Sequence, residues 1–126
     1  MVILITGVSS GFGKAMALRL AKDGHKVYGT VRREVEPLEG VTYLMADVRD
    51  DAGIAAAFAQ LMEAEGRLDV FINNAGMGIG GPLEFNPVED VQMQMDVNFM
   101  GMVKWLSHVV PVMRRQGEGK ILCVSS

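Results

Sequence analysis

A glycine-rich turn between a short apolar run and a helical pattern constrains the fold of this chain more than any other feature. The turn reads Thr6-Gly7-Val8-Ser9-Ser10-Gly11-Phe12-Gly13. It directly follows an apolar run at 2–5 and precedes apolar residues at helical spacing, which predicts strand, turn and helix. Glycines let such a turn bring backbone amides and the positive helix end to an anion. The turn therefore predicts a nucleotide phosphate site, with a plain strand-to-helix connection as the alternative.

Further apolar runs alternate with helical patterns along the rest of the chain. They predict strands at 26–31, 41–45, 68–72 and 120–124, and helices over 13–22, 51–66 and 88–115. Pro111 lies inside the last helical pattern and predicts a bend or an early end there. The alternation predicts an α/β fold, a Rossmann-type doubly wound parallel sheet of about five strands with helices on both faces. Because the fifth strand would leave an exposed edge, we expect residues 1–126 to be an incomplete domain, truncated after that strand.

Charge and composition restrict the possible partners and location. The formal net charge of −3 disfavours nucleic acid as a partner. No run reaches the ~20 apolar residues that a membrane span needs, and the N-terminus lacks the basic region of a signal peptide, so we expect a cytoplasmic protein. His108 has no carboxylate or cysteine at ligand spacing, so we expect no metal site. The single cysteine, Cys123, lies in a predicted buried strand and is expected to be inert.

Two arginines, Arg32 and Arg33, follow the second predicted strand. In dinucleotide-binding folds a carboxylate near this point binds the adenosine ribose, whereas an arginine accommodates the 2′-phosphate of NADP. The first carboxylate here is Glu34, beyond both guanidinium groups. The sequence therefore favours NADP(H) as cofactor, while NAD(H) remains possible, and an ordinary solvated edge is the alternative for the two arginines.

Four motifs in order resemble the short-chain dehydrogenase/reductase family, in its single-domain branch. They are the glycine turn at 6–13, Asp47-Val48, Asn73-Asn74-Ala75-Gly76 and the Asn98 of Asp96-Val97-Asn98-Phe99. The resemblance spans the whole chain and implies that Asp47 and Val48 meet the adenine, that Asn74 braces the central strands, and that Ala75 and Gly76 line the ribose. The cofactor-binding residues expected from the turn, the arginines and the motifs are Gly7, Ser9, Ser10, Gly11, Phe12, Gly13, Arg32, Arg33, Asp47, Val48, Asn74, Ala75 and Gly76. The alternatives are that Asp47 is a cap preceding the second predicted helix and that Asn73 and Asn74 are ordinary turn formers.

The resemblance also implies catalytic residues. The family uses an asparagine, a serine, a tyrosine and a lysine, of which Asn98 and Ser126 match the first two. The tyrosine and lysine form a Tyr-x-x-x-Lys motif, but Tyr28 and Tyr43 are followed four residues later by arginine and aspartate. We therefore expect that pair to lie beyond this chain, and the 126 residues alone to be inactive.

The resemblance implies an NADP(H)-preferring oxidoreductase that transfers a hydride between nicotinamide and a small-molecule carbonyl or secondary alcohol. The alternative is a noncatalytic dinucleotide-binding sensor or scaffold protein. Family members pair through the counterpart of the long helix, so we expect the full-length protein to be a homo-oligomer, a dimer or tetramer. Trp105 and its helical neighbours are candidates for that contact, with core packing as the alternative.

Overall fold

The structure, a computed structural model, describes residues 1–78 and 80–125 as one sheet with helices on both sides. The strands are β1 Val2–Ile5, β2 Lys26–Val31, β3 Val41–Met45, β4 Val70–Asn73 and β5 Lys120–Cys123. The α-helices are α1 Gly11–Lys22, α2 Asp51–Glu65, α3 Val88–Met95 and α4 Gly101–Gln116. A 3₁₀ turn covers Leu83–Phe85, and a π-helical turn, Asp96–Met100, joins α3 to α4.

The five strands are parallel and lie in the order β3-β2-β1-β4-β5. The chain winds outward from β1 to β3, then crosses back to place β4 on the other side of β1. This is the strand order of a doubly wound Rossmann sheet, so the predicted fold is confirmed. The winding direction reverses between β1 and β4, and ligands of such sheets bind outside the carboxyl ends of the strands at this point.

The apolar strands alternate their side chains between two cores. Ile3 and Ile5 face the core that contains Ala17 of α1. Leu4 lies on the opposite face, in the core that α2 and α4 cover with Phe58 and Trp105. Both faces of β1 are therefore buried, which explains why its sequence is a continuous apolar run.

Two element boundaries differ from the sequence prediction. Helix α1 begins at Gly11, two residues earlier than expected. Strand β4 begins at Val70 rather than at 68, since the backbone of Leu68 pairs with the side-chain amide of Gln116 instead of a strand. Side-chain partners of this kind leave no mark in the hydrophobic pattern of the strand itself.

The long helical pattern is interrupted at the π turn, and the predicted early end at Pro111 is wrong. Helix α4 continues through Pro111 to Gln116. Burial of Val109, Val112 and Met113 on either side of the proline offsets the backbone hydrogen bond that the proline lacks.

The burial of Trp105 selects one of two alternatives, and the burial expected for Cys123 is wrong. Trp105 is fully buried and its ring centroid lies 6.1 Å from that of Phe71, so it belongs to the core and not to an exposed subunit contact. Within the described residues Cys123 is exposed, because β5 is the edge strand of this five-stranded sheet and its four residues are all exposed there. In residues 1–78 and 80–125, no helix combines the length and apolar character required to cross a bilayer.

Candidate functional site

The glycine turn connects the carboxyl end of β1 to the start of α1. Gly11 has a φ of +58°, and a Cβ there would enter space that the described residues leave open. Gly13 is required for packing, since its Cβ would lie 2.0 Å from the Gly7 carbonyl oxygen and 2.5 Å from Asn74 Nδ2. The turn is therefore pressed against α1 on one side and open on the other.

Buried hydroxyl groups and one amide tie the strand ends together below the turn. Thr6 Oγ1 accepts hydrogen bonds from the backbone amides of Asn74 at 2.9 Å and Ala75 at 3.0 Å. Thr30 Oγ1 accepts one from the Gly7 amide at 3.0 Å. Asn74 Nδ2 donates to the Gly7 carbonyl at 2.9 Å, which joins β4 to the end of β1. Thr6 and Thr30 were not assigned this role from the sequence, although a hydroxyl at the carboxyl end of an apolar strand is a usable signal.

A cleft of about 260 Å³ opens at the carboxyl ends of β1 and β4, where the strand order reverses. Among the residues expected to bind the cofactor, it is lined by Gly7, Ser9, Ser10, Arg32, Asp47, Val48, Asn74, Ala75 and Gly76. Sequence reasoning did not identify the other lining residues, which are Thr30, Val31, Ala46, Met77 and Val97. The structure thus brings five separated segments of the chain to one opening.

The remaining expected residues lie beside this cleft. Arg33 lines a small adjoining pocket together with Ser9, Arg32 and Asp47. Gly11 and Gly13 belong to the first turn of α1, and Phe12 exposes 79% of its surface to solvent. Apart from its exposure, nothing in the structure gives Phe12 a role.

Asp47 is held by Arg49 at the edge of the cleft. Arg49 Nη2 lies 2.9 Å from Asp47 Oδ2, and its Nε donates to Oδ1 at 3.2 Å. The Arg49 backbone amide also donates to Oδ1 at 2.9 Å. The N-cap of α2 is Asp50, so Asp47 is not the capping residue of that helix. These hydrogen bonds hold the pKa of Asp47 below its usual value of 3.8, and the charge of Arg32 acts in the same direction.

Asn98 lies in the π turn and fixes the segment that follows β4. Its Oδ1 accepts a hydrogen bond from the Met77 amide at 2.7 Å, and its Nδ2 donates to the Met77 carbonyl at 2.7 Å. The preceding residue, Val97, is buried and lines the cleft. The π turn therefore supplies both a wall of the cleft and a clamp on its rim. Ser126, the other expected catalytic residue, lies outside the described residues.

The groups present at the turn fit a dinucleotide. Ser10 occupies the N-cap of α1, yet among the described residues its side chain makes no capping hydrogen bond. The first amides of a helix have no partners within the helix, so an anion at the open side of Gly11 would meet amides and a hydroxyl together. The chain thus offers donors for a pyrophosphate, arginines beside them and an apolar wall at Val48.

Comparison with known proteins places this arrangement in a family. The family model described as short chain dehydrogenase matches residues 1–126. The chain belongs to the short-chain dehydrogenase family.

Curated short-chain dehydrogenases resemble the chain along its whole length. The 3-ketodihydrosphingosine reductase of Bacteroides thetaiotaomicron is 49% identical over 99% of this chain and 46% of its own length. Human 17-beta-hydroxysteroid dehydrogenase type 1 is 40% identical over 99% of the chain and 42% of its own length. An NADP-dependent 3-hydroxy acid dehydrogenase of Salmonella typhi is 34% identical over the full chain and 54% of its own length. The chain therefore spans about half the length of the curated relatives it matches.

Solved structures of the family agree with the fold. A short-chain dehydrogenase from Streptomyces avermitilis superposes with a TM-score of 0.93 at 31% identity, over 99% of this chain and 48% of that one. A structure described as ElxO with NADP bound superposes with a TM-score of 0.90 at 26% identity, over 99% of this chain and 55% of that one. The described part of this chain holds no group of three His, Cys, Asp or Glu residues that could bind a metal ion.

Proposed function

We propose that this chain forms the cofactor-binding portion of an NADP(H)-preferring oxidoreductase that interconverts a carbonyl and a secondary alcohol. The pocket that Ser9, Arg32, Arg33 and Asp47 line beside the main cleft carries the proposal. Two guanidinium groups at the end of β2 suit a 2′-phosphate dianion by charge and geometry, and Ser9 adds a hydroxyl donor. The NADP-dependent relative and the NADP-bound structural neighbour support this choice over NAD(H).

In this proposal the cleft binds the cofactor from the turn outward. The amides at the start of α1, with Ser9 and Ser10, bind the pyrophosphate, for which Gly7, Gly11 and Gly13 give the turn its shape. Asp47 and Val48 hold the adenine. Ala75 and Gly76 line the ribose, and Asn74 keeps the turn against β4 through the Gly7 carbonyl.

The bound nicotinamide would supply or accept the hydride at the carbonyl carbon. By resemblance, Asn98 belongs to the proton-transfer machinery, and Ser126 hydrogen-bonds the substrate oxygen. A Tyr-x-x-x-Lys pair would complete the acid–base machinery, and neither tyrosine in this chain has that spacing. The oxidoreductase activity is therefore proposed for the whole protein and not for these 126 residues alone.

The substrate class proposed is a carbonyl or secondary alcohol carried on a small, mainly apolar molecule. The relatives named as a 3-ketodihydrosphingosine reductase and a 17-beta-hydroxysteroid dehydrogenase support this choice. We also propose a cytoplasmic homo-oligomer. Exposed apolar side chains on the π turn and α4, including Phe99 and Val103, support self-association in place of the buried Trp105.

Cofactor preference is tested by titrating the purified protein with NADPH and NADH and following the reduced nicotinamide fluorescence. We expect the protein to bind NADPH more tightly. Replacing Arg32 and Arg33 by alanine should weaken NADPH binding by about tenfold or more, since charge-assisted hydrogen bonds to the phosphate are lost. Arg115→Ala, on the exposed end of α4, serves as the control. Equal affinities for both cofactors in the unsubstituted protein would contradict the proposal.

Turnover is tested by following NADPH oxidation with 3-ketodihydrosphingosine, a 17-ketosteroid, a retinaldehyde and a 3-oxo acid. The protein that carries this chain together with a Tyr-x-x-x-Lys segment should reduce at least one of them. Tight NADPH binding without reduction of any would favour the noncatalytic sensor.

A further inference from the structure

We propose that Arg49 determines the preference for NADP(H) over NAD(H) by neutralising Asp47, whose carboxylate shares the small pocket with Arg32 and Arg33. The inference rests on the proposed function, because it concerns the same phosphate pocket. Arg49 is not one of the residues that the sequence analysis expects to bind the cofactor, so the inference assigns a role to a further residue.

The pocket contains a carboxylate as well as its arginines. Ser9, Arg32, Arg33 and Asp47 line it together. Asp47 keeps about a third of its side-chain surface exposed, so its charge faces the pocket and is not hidden in the core. A carboxylate at this position repels a phosphate dianion and competes with it for Arg32.

Arg49 is placed to remove that repulsion. It donates two side-chain hydrogen bonds to Asp47, one to each carboxylate oxygen, at 2.9 and 3.2 Å. Two hydrogen bonds between a guanidinium and a carboxylate fix the relative orientation of the two groups. A third hydrogen bond, from the Arg49 backbone amide to Asp47 Oδ1, also fixes the backbone of Arg49. Arg49 lines neither the cleft nor the pocket, and in this proposal it acts on the phosphate through Asp47, to which its side chain donates.

The effect should discriminate between the two cofactors. NAD(H) presents a neutral ribose hydroxyl at the point where NADP(H) presents a dianionic phosphate. An uncompensated Asp47 would therefore weaken NADP(H) binding through like-charge repulsion. NAD(H) binding should change little, and a carboxylate near the ribose can even accept a hydrogen bond from it.

The chain contains a matched control at the opposite end of the sheet. Arg67 and Asp69 form a second arginine–aspartate pair with the same spacing of two residues, and Arg67 donates to Asp69 through Nε and Nη2. This pair lies beside the start of β4, away from the carboxyl ends that form the cleft. Loss of Arg67 removes an equivalent pair without changing the charge of the phosphate pocket.

The test compares dissociation constants for NADPH and NADH in four variants. Arg49→Leu should weaken NADPH binding by about five- to tenfold and change NADH binding by less than about twofold. Arg67→Leu should change neither. The double variant Asp47→Asn with Arg49→Leu should bind NADPH more tightly than Arg49→Leu alone and nearly as tightly as Asp47→Asn alone, because the repelling charge is gone.

Three outcomes would overturn the inference. An equal loss for both cofactors in Arg49→Leu would give the arginine a purely structural role. An NADPH affinity that stays low in the double variant would mean that Arg49 binds the phosphate directly. No loss of affinity for either cofactor in Arg49→Leu would remove any role of the arginine in specificity. Failure of the proposed function itself would show earlier, as an unsubstituted protein that does not prefer NADPH.

Discussion

The two ends of the central strands are held by the same kind of contact but do different things. At the carboxyl ends, Thr6 Oγ1 accepts from two amides that follow β4. At the amino ends, Asp69 Oδ2 accepts from the Val2 amide at 2.7 Å. The Gln116 side chain there pairs with both backbone groups of Leu68, at 2.9 and 2.8 Å. At each end, side chains satisfy backbone groups that the parallel ladder leaves unpaired.

The difference lies in what surrounds those contacts. The carboxyl ends carry the glycine turn and the start of α1, and the reversal of strand order leaves a cleft between them. The amino ends carry the ion pairs of Arg67 with Asp69 and Glu118, and Arg67 exposes half of its side chain. Side-chain pairing of strand ends therefore supports stability at both ends. A binding site forms only at the carboxyl ends, where the glycine turn and the reversal of strand order leave hydrogen-bond donors accessible to a ligand.

The largest expected effect breaks the carboxyl end. Gly13→Ala would place a methyl group within 2.0 Å of the Gly7 carbonyl oxygen. The Gly7 carbonyl and the Asn74 side chain, which the new methyl group would meet, are hydrogen-bonded to each other and cannot easily move away. We therefore expect a loss of about 3 kcal/mol or more in the free energy of unfolding. Urea denaturation measures the loss.

Gly53→Ala is the matched control, since its new Cβ would meet the movable carboxylate of Asp50 at 2.8 Å. A helical glycine replaced by alanine gains up to about 1 kcal/mol, so this variant should be as stable as the parent or more so. Equal stabilities of the Gly13→Ala and Gly53→Ala variants would show that the turn is not tightly packed on α1.

A smaller expected effect distinguishes the function of the carboxyl ends of the strands from that of their amino ends. Thr6→Val keeps the shape of the side chain but leaves the amides of Asn74 and Ala75 without an acceptor. We expect a loss of about 2 kcal/mol in stability together with weaker NADPH binding, measured by denaturation and by fluorescence titration.

Gln116→Leu should cost about 1 kcal/mol through the lost pairing with Leu68, with NADPH affinity unchanged. If this variant weakens NADPH binding as much as Thr6→Val does, the functional distinction between the two ends does not hold.

The smallest effect concerns acid stability at the amino ends. Hydrogen bonds from Arg67 and from the Val2 amide hold the pKa of Asp69 below its usual value of 3.8. The unfolded chain then binds more protons in that range, so this contribution is present above about pH 4 and is lost as the pH falls through the lowered pKa. Below pH 4, the unfolding free energy of the Asp69→Asn variant should fall less steeply than that of the unsubstituted protein. The two declines should differ by less than about 1 kcal/mol, because Arg67 is half exposed.

Thermal denaturation between pH 2.5 and 7 measures this difference. Arg49 holds the pKa of Asp47 down in the same way, so the Asp69→Asn protein should keep part of its pH dependence. A decline identical to that of the unsubstituted protein would show that the pair at the amino ends adds nothing.

Local patterns predicted most of the fold. The bounds of β1, β2 and β3 agree with the sequence prediction because apolar runs between turn residues depend on nearby residues alone. The early end of the long helix expected at Pro111 was wrong, since packing around Val109 and Val112 tolerates the proline. The burial of Cys123 was misjudged and that of Trp105 was left open for a related reason, because burial depends on which elements lie across from a residue.

By itself, the sequence determined the alternation of strands and helices, the turn that presents amides to an anion, and the residue types offered to a cofactor. The tertiary structure decided which of those residues meet. Asp47 and Arg49 pair two positions apart in the sequence, but the pocket that Asp47 shares with Arg32 exists only because β2 and β3 end side by side. Likewise, Asn98 reaches Met77 because the π turn places it beside the segment after β4. Contacts between distant segments follow from strand order and packing, and no local pattern of residues encodes them.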